Sequence, residues 1–239
     1  MSVSVLPLEG MPEVRTGDDL AGLLHDSAER AGGLQSGDVV VVAQKVVSKS
    51  EGRVVRLADV EASDRAAEIA ADRDPRHLEV ILREAARIVR VRPPLVIAET
   101  RHGFVCASAG VDHSNAAEPD TVVLLPVDPD GSARRLSERL GVAVIVSDSF
   151  GRPFRQGTTD VAIGIAGVPA LLDLRGVRDA AGYELRTTMI AVADEIASAA
   201  ELVMGKTAGI PAAIVRGLDL RGDGSARDLL IPAHRDLFR

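Results

Sequence analysis

Apolar positions along the chain fall into short runs that alternate with stretches of helical spacing. Val39–Val42 and Val46–Val47, placed behind the turn signal Ser36-Gly37-Asp38, read as buried strand. Asp59–Asp72 and His77–Arg90 predict two helices separated by the breaker Asp74-Pro75. In the second, Leu78, Ile81, Leu82, Ala85, Ile88 and Val89 share one helical face, and Pro93-Pro94 ends the pattern. Leu95–Ala98 and Phe104–Ala107 predict a hairpin around Arg101-His102-Gly103. Thr121–Leu125 and Val142–Val146 predict strands flanking a helix at Ser132–Leu140. Thr187–Ile190 leads into a helix over Val192–Met204, and Ala212–Val215 predicts a final strand.

This alternation predicts a mixed α/β fold. The sequence has no internal repeat, low-complexity tract or Ser/Gly linker, so a single domain over residues 1–239 is expected, with Arg221–Ser225 as a turn.

Composition narrows the function classes. Aromatic residues are only 2% of the chain, so the core must be built from Val, Leu, Ile and Ala. Few rings are left for bases to stack on, which argues against a single-strand nucleic-acid binder. The net charge of −7 and pI of about 5.3 oppose duplex binding, which needs a basic surface. Phosphate recognition is therefore expected to be local. Cys106 is the single cysteine, so no internal disulfide is possible, and its apolar surroundings favour a buried residue over a nucleophile. The N-terminus carries no basic or long apolar segment, and no run approaches a membrane span; a cytoplasmic location is expected.

Several familiar nucleotide and metal signatures are absent. No Gly-x-Gly-x-x-Gly occurs, so a Rossmann turn is not indicated. Gly205-Lys206-Thr207 looks like the end of a P-loop, but Ala200 stands where the first glycine belongs. The order of elements is also reversed, because a P-loop follows a strand and opens a helix. No His-Glu-x-x-His or Cys/His cluster suggests zinc, and His113 reads as a loop residue before a ligand.

Two Asp-bearing turns stand out instead. Asp112 lies in Ala109–Asn115 after an apolar strand, and Asp148 with Ser149 lies just beyond the apolar run ending at Val146. Each aspartate could simply cap a turn. A carboxylate at a strand end also sits at the rim where α/β folds place ligands, and Mg²⁺ or Mn²⁺ is typically held by one or two such groups with phosphate oxygens. Arg152, Arg155 and the polar run Gln156–Asp160 follow Asp148, a mixture suited to metal-bound polyphosphate. Arg155 and Lys206 are candidate phosphate contacts on charge alone. In Gln44–Arg53, Lys49 at a strand exit could meet a phosphate or belong to a solvated basic turn. Asp194 and Glu195 near a helix start, and Gly205 at its end, have sufficient structural explanations as dipole and capping residues.

Together the stretches Gly10–Val14, Gln44–Val55, Ala109–Asn115, Val146–Arg152, Gly157–Gly164 and Ala193–Gly205 resemble the coenzyme F(420) gamma-glutamyl ligases. The likeness is strongest to the ligase half of actinobacterial enzymes that carry a second, flavin-binding reductase domain. It implies the mixed α/β fold of that family, an intertwined homodimer, and GTP, L-glutamate and coenzyme F(420)-0 as substrates. The implied reaction phosphorylates the acceptor carboxylate from GTP, displaces phosphate with the glutamate amine, and repeats to extend a gamma-linked tail. Positioning and charge neutralisation are what such chemistry asks of a protein, which suits a site of Asp, Ser, Lys and Arg. The resemblance further implies Asp112 and Asp148 as ligands of a divalent metal and Ser149 as a hydroxyl ligand of a second, with potassium as an added ion. It implies GTP contacts at Met11, Pro12, Glu13, Val14, Gln44, Lys49, Asn115 and the loop from Met204 through Gly205, Lys206 and Thr207. Asp112, Asp148 and Lys49 are the expected catalytic residues. Alternatives are a ligase of another small carboxylate acceptor, or a non-catalytic nucleotide-binding module beside a reductase.

Overall fold

Four consecutive valines, Val39–Val42, have no polar face to give to solvent, so their strand must be covered on both sides. The computed structural model, which describes residues 2–113 and 119–237, puts them at the centre of a five-stranded sheet. Its order is β1 (Ser4–Pro7), β12 (Ala212–Arg216), β2 (Val39–Ala43), β8 (Ala143–Arg152) and β9 (Arg155–Ala166). β2 and β8 run parallel, with Val42 opposite Val146 and Ala43 opposite Ser147; the other neighbours are antiparallel. The remaining strands are β3 (Val54–Arg56) with β7 (Thr121–Val123), β4 (Ala85–Arg92) with β5 (Leu95–Thr100) and β6 (Val105–Ala107), and β10 (Leu172–Asp173) with β11 (Met189–Ile190).

The helices are α1 (Leu20–Arg30), α2 (Gln44–Ser50), α3 (Asp64–Ala70), α4 (Pro75–Glu84), α5 (Pro129–Leu140) and α6 (Val192–Met204). Local chemistry explains their ends. Asp128 caps α5 by accepting from the Gly131 N–H at 3.0 Å, Pro129 supplies a φ already suited to a first turn, and Gly141 closes the helix in the left-handed conformation. The apolar side chains around the five-stranded sheet, with α1, α5 and α6, form the larger core. A second core gathers Leu57, Ile69, Leu78, Ile81, Val96 and Val122 between α3, α4 and the smaller strands.

Three expectations are corrected. Val46–Val47 is helix, not strand: α2 begins directly at Gln44, and both valines face the core. Lys49 therefore stands on a helix rather than at a strand exit. His77–Arg90 is helical only to Glu84, after which Ala85–Arg92 extends and pairs antiparallel with β5. The i, i+3, i+4 spacing of Ala85, Ile88 and Val89 is helical; pairing with β5 across Pro93-Pro94 overrides it, with register shifts at Ala85/Arg87 and Ile88/Arg90. Within Asp59–Asp72 only Asp64–Ala70 is α-helical, starting where the Ser63 hydroxyl caps the Ala66 N–H at 3.2 Å. The hairpin of β5 and β6, the helix Val192–Met204 and the strand from Ala212 fall where the sequence put them.

Candidate functional site

β2 and β8 run parallel, so both end at the same edge of the sheet, the edge where open α/β folds leave room for ligands. There a pocket of about 390 Å³ opens, within the range of about 300–1,000 Å³ usual for small-molecule sites. Five separated segments line it, one of them Asp160 of β9. Met11–Val14 comes from the loop after β1, and Gln44, Lys45 and Lys49 from α2. Ser147, Asp148 and Ser149 come from β8, and Met204 ends α6 and leads into Gly205–Thr207. The nucleotide-contacting residues expected from the sequence are thus brought together, except Asn115, which lies outside the described residues.

Asp148 is part of β8 rather than of a turn beyond it. Its side chain keeps some exposure toward the pocket but is densely surrounded by protein. Burial pushes its carboxyl up to about 7; the Ser149 N–H opposes this at 2.9 Å, and the charges of Asp112 and Asp160 add to it. A carboxylate in such surroundings is stabilised by a cation. Lys45 supplies part of one: its Nζ lies 2.6 Å from Asp112 Oδ2, and its charge acts on Asp148. Asp112 itself is held by backbone pairing to Val123, at 2.9 and 2.8 Å.

Asp160, buried on β9, faces Ser149 in the sheet register. It accepts from the Ser149 hydroxyl at 2.6 Å and from the Ser147 hydroxyl at 2.9 Å. Ser149 therefore gives its proton to Asp160 and keeps its oxygen lone pairs for another partner. Lys49 is buried and ion-paired with Glu13, which ties the Met11–Val14 loop to α2. Gln44 is fully buried; its Oε1 accepts from the Ser48 hydroxyl at 2.9 Å, while its Nε2 has no partner among the described residues. A buried amide N–H₂ without an acceptor is costly and suits a ligand oxygen.

Among the described residues no three His, Cys, Asp or Glu side chains gather closely enough to hold a metal ion alone. Hard ions bound with phosphates need only one or two protein carboxylates. Asp148 and the Ser149 hydroxyl line the pocket as oxygen donors of that kind; Asp112 stands outside the lining, its Oδ2 held by Lys45 at 2.6 Å, and acts on Asp148 through its charge. The residues present fit a divalent ion of that sort.

Arg155 does not join the site: it lies at the exposed end of the β8–β9 hairpin, opposite Arg152 and outside the pocket lining. Lys206 lines the pocket from an exposed position on the loop after α6. Gly205 is the cap of α6, its N–H bonded to the Glu201 carbonyl at 3.0 Å, so Gly205-Lys206-Thr207 follows a helix. His113 is exposed and meets His77 with ring centroids 6.0 Å apart. The Cys106 thiol is pushed up to about 12 by burial and by the Asp148 charge, which leaves it a packing residue rather than a nucleophile.

Three contributors escaped the sequence reading: Lys45, Asp160 and Glu201. Lys45 and Asp160 lie inside motifs already singled out, one residue from Gln44 and at the end of Gln156–Asp160. Their roles depend on pairing across the sheet. Glu201 lies on α6 one helical turn before the cap Gly205 and lines the pocket with it.

Comparison with known proteins adds the following. The sequence profile of the F(420)-0:gamma-glutamyl ligases matches residues 10–217. The coenzyme F(420):L-glutamate ligase of Methanothermobacter thermautotrophicus is 46% identical over 252 aligned positions, covering 100% of both chains. The protein of the same name from Methanopyrus kandleri is 49% identical, covering 100% of this chain and 98% of its own. That of Archaeoglobus fulgidus is 41% identical, covering 100% and 97%.

Proposed function

The chain belongs to the F(420)-0:gamma-glutamyl ligase family, and from that premise we propose that it joins L-glutamate to coenzyme F(420)-0 with GTP as phosphoryl donor. The observation that carries the reading is the convergence of Met11–Val14, Gln44–Lys49, Ser147–Ser149 and Met204–Thr207 on one pocket.

The chemistry follows from the acceptor. A carboxylate is a poor electrophile, because its leaving group would be an oxide. In the proposed first step an acceptor carboxylate oxygen attacks the γ-phosphorus of GTP, the bridging P–O bond breaks, and GDP leaves with the electron pair. The product is an acyl phosphate. The deprotonated amine of glutamate then attacks the acyl carbon, the bond to the phosphate oxygen breaks, and inorganic phosphate departs as the amide forms. Repetition on the new gamma-carboxylate extends the tail.

In this reading the protein positions and neutralises. Lys49 and Lys206 face the phosphates as point charges, and the unpartnered Gln44 Nε2 donates to a nucleotide oxygen. Asp148 and Ser149, with Asp112 beside them, would hold Mg²⁺ or Mn²⁺, which would supply neutralisation of charge on the transferring phosphoryl group. Asp160 accepts the Ser149 hydroxyl proton, which would leave the Ser149 oxygen lone pairs to such an ion.

The test is direct. The protein is incubated with the divalent metal, L-glutamate, coenzyme F(420)-0 and GTP, with ATP run in parallel. Glutamate-dependent phosphate release and an acceptor heavier by one glutamate residue are expected with GTP. Phosphate release without any change in acceptor mass would move the assignment to another carboxylate acceptor; neither product sinks it.

A further inference from the structure

Among the described residues the pocket lining holds four carboxylates, Glu13, Asp148, Asp160 and Glu201. The first three are engaged. Glu13 pairs with Lys49, Asp148 accepts from the Ser149 N–H, and Asp160 takes a hydroxyl on each oxygen, Ser149 on Oδ1 and Ser147 on Oδ2. Glu201 differs: its half-buried carboxylate makes no hydrogen bond or ion pair with any described residue.

One face of α6 lies along β9 and brings Glu201 to this position. Asp194 accepts from the Ala162 N–H at 2.9 Å, and the Ser198 hydroxyl gives to the Asp160 carbonyl at 2.7 Å. Glu201 continues the same helical spacing and so enters the pocket beside Asp160.

The surroundings there oppose a negative charge. Burial pushes the Glu201 carboxyl up and the charge of Asp160 adds to this, while Lys206 and Lys45 offset it from beyond ion-pairing distance. Glu201 also stands in the last turn of α6, which carries no basic residue, where the helix dipole disfavours an acid. A carboxylate kept in a pocket under those conditions marks a place for a cation. A divalent ion shared with Asp160 fits poorly, because both Asp160 oxygens already accept hydroxyl protons. An ammonium needs only an acceptor, and it brings the charge that the place lacks.

We propose that Glu201 binds the ammonium of the amine substrate and takes the proton that must leave it before attack. The proposal rests on the ligase reading, in which that amine is the α-amino group of L-glutamate. The ammonium gives one proton to a Glu201 Oε, and the freed lone pair forms the C–N bond to the acyl carbon. The bond from that carbon to the phosphate oxygen breaks, and a second N–H proton leaves on the phosphate.

The experiment lets two nucleophiles compete for one acyl phosphate. Hydroxylamine is an uncharged amine at neutral pH and traps acyl phosphates as hydroxamates, so it needs no ammonium site. The full chain is given GTP, the divalent metal, coenzyme F(420)-0, L-glutamate and hydroxylamine, and both products are measured by mass. In Glu201→Gln, which keeps the size of the side chain, the ratio of glutamate adduct to hydroxamate is expected to fall about tenfold or more, with a higher KM for glutamate. An unchanged ratio overturns the proposal. So does an equal fall in Mn²⁺ affinity, which would assign Glu201 to the ion. Wild-type hydroxamate that depends on GTP, beside an unchanged ratio in E201Q, leaves the ligase reading standing without this part for Glu201. If the wild type makes neither product, the ligase reading falls, and calorimetric titration with L-glutamate in the presence of GDP and Mg²⁺ decides for Glu201. Binding about tenfold weaker in E201Q then upholds the ammonium site, and equal or absent binding overturns it.

Discussion

At the scale of single residues the site turns on Asp148. Its folded-state carboxyl is pushed up to about 7, against about 4 in an unfolded chain. The group therefore contributes stability fully present below about pH 4 and lost as pH rises through about 7. Asp148→Asn removes that titration. In the ligand-free protein the variant should be more stable than wild type at pH 8, by on the order of 2–4 kcal/mol, with the difference vanishing near pH 4. Denaturant midpoints at the two pH values check this, and a D148N protein no more stable at pH 8 contradicts it. Under the proposed reaction the same variant should show no ligase turnover, because it removes a carboxylate proposed to hold the divalent ion. Asp148 and Ser149 were visible in the sequence as polar residues at the end of an apolar run. Lys45, Asp160 and Glu201 were not. The Ser149–Asp160 contact depends on β8–β9 register, and the Lys45–Asp112 pair joins residues far apart in the chain.

Among the elements, strongly patterned segments were legible and ambiguous ones were settled by partners. Val192–Met204 is apolar on one face over its whole length, and it is a helix with those bounds. Val46–Val47 is too short to display a period, so the turn to helix at Gln44 left no trace in the apolar pattern. That turn matters functionally, because it puts Gln44, Lys45 and Lys49 in one pocket wall. The docking of α5 on the sheet offers a test at this scale. A Cβ added at Gly164 would lie 2.3 Å from the Pro129 carbonyl oxygen and 2.5 Å from its carbon, a backbone contact that cannot rotate away. Gly164→Ala should therefore cost about 1–3 kcal/mol or more by forcing α5 off β9. Unchanged denaturant midpoints would show that the helix start is not seated as described.

For the whole molecule the sequence announced a mixed α/β fold but not its topology. The order β1-β12-β2-β8-β9 places strands from opposite ends of the chain side by side, and no local signal encodes that. It also explains why the pocket draws on residues from Met11 to Pro211: strands distant in sequence end at one edge. No described helix is long and apolar enough to cross a membrane. The family resemblance implies a homodimer, and Phe154, in the turn between β8 and β9, and Tyr183, in the loop between β10 and β11, stand 90% and 62% exposed. Sedimentation should return a mass about twice the 25.1 kDa of one chain, and Phe154→Ser should shift it toward the monomer; a monomeric wild type would rule the dimer out.

The central claim is that GTP activates the acceptor by phosphorylating its carboxylate in the pocket around Asp148. It is tested most directly with coenzyme F(420)-0 whose reacting carboxylate carries heavy oxygen. The account predicts that each phosphate released during glutamate ligation carries one heavy oxygen from that carboxylate. Unlabelled phosphate alongside full formation of the glutamate adduct would contradict it.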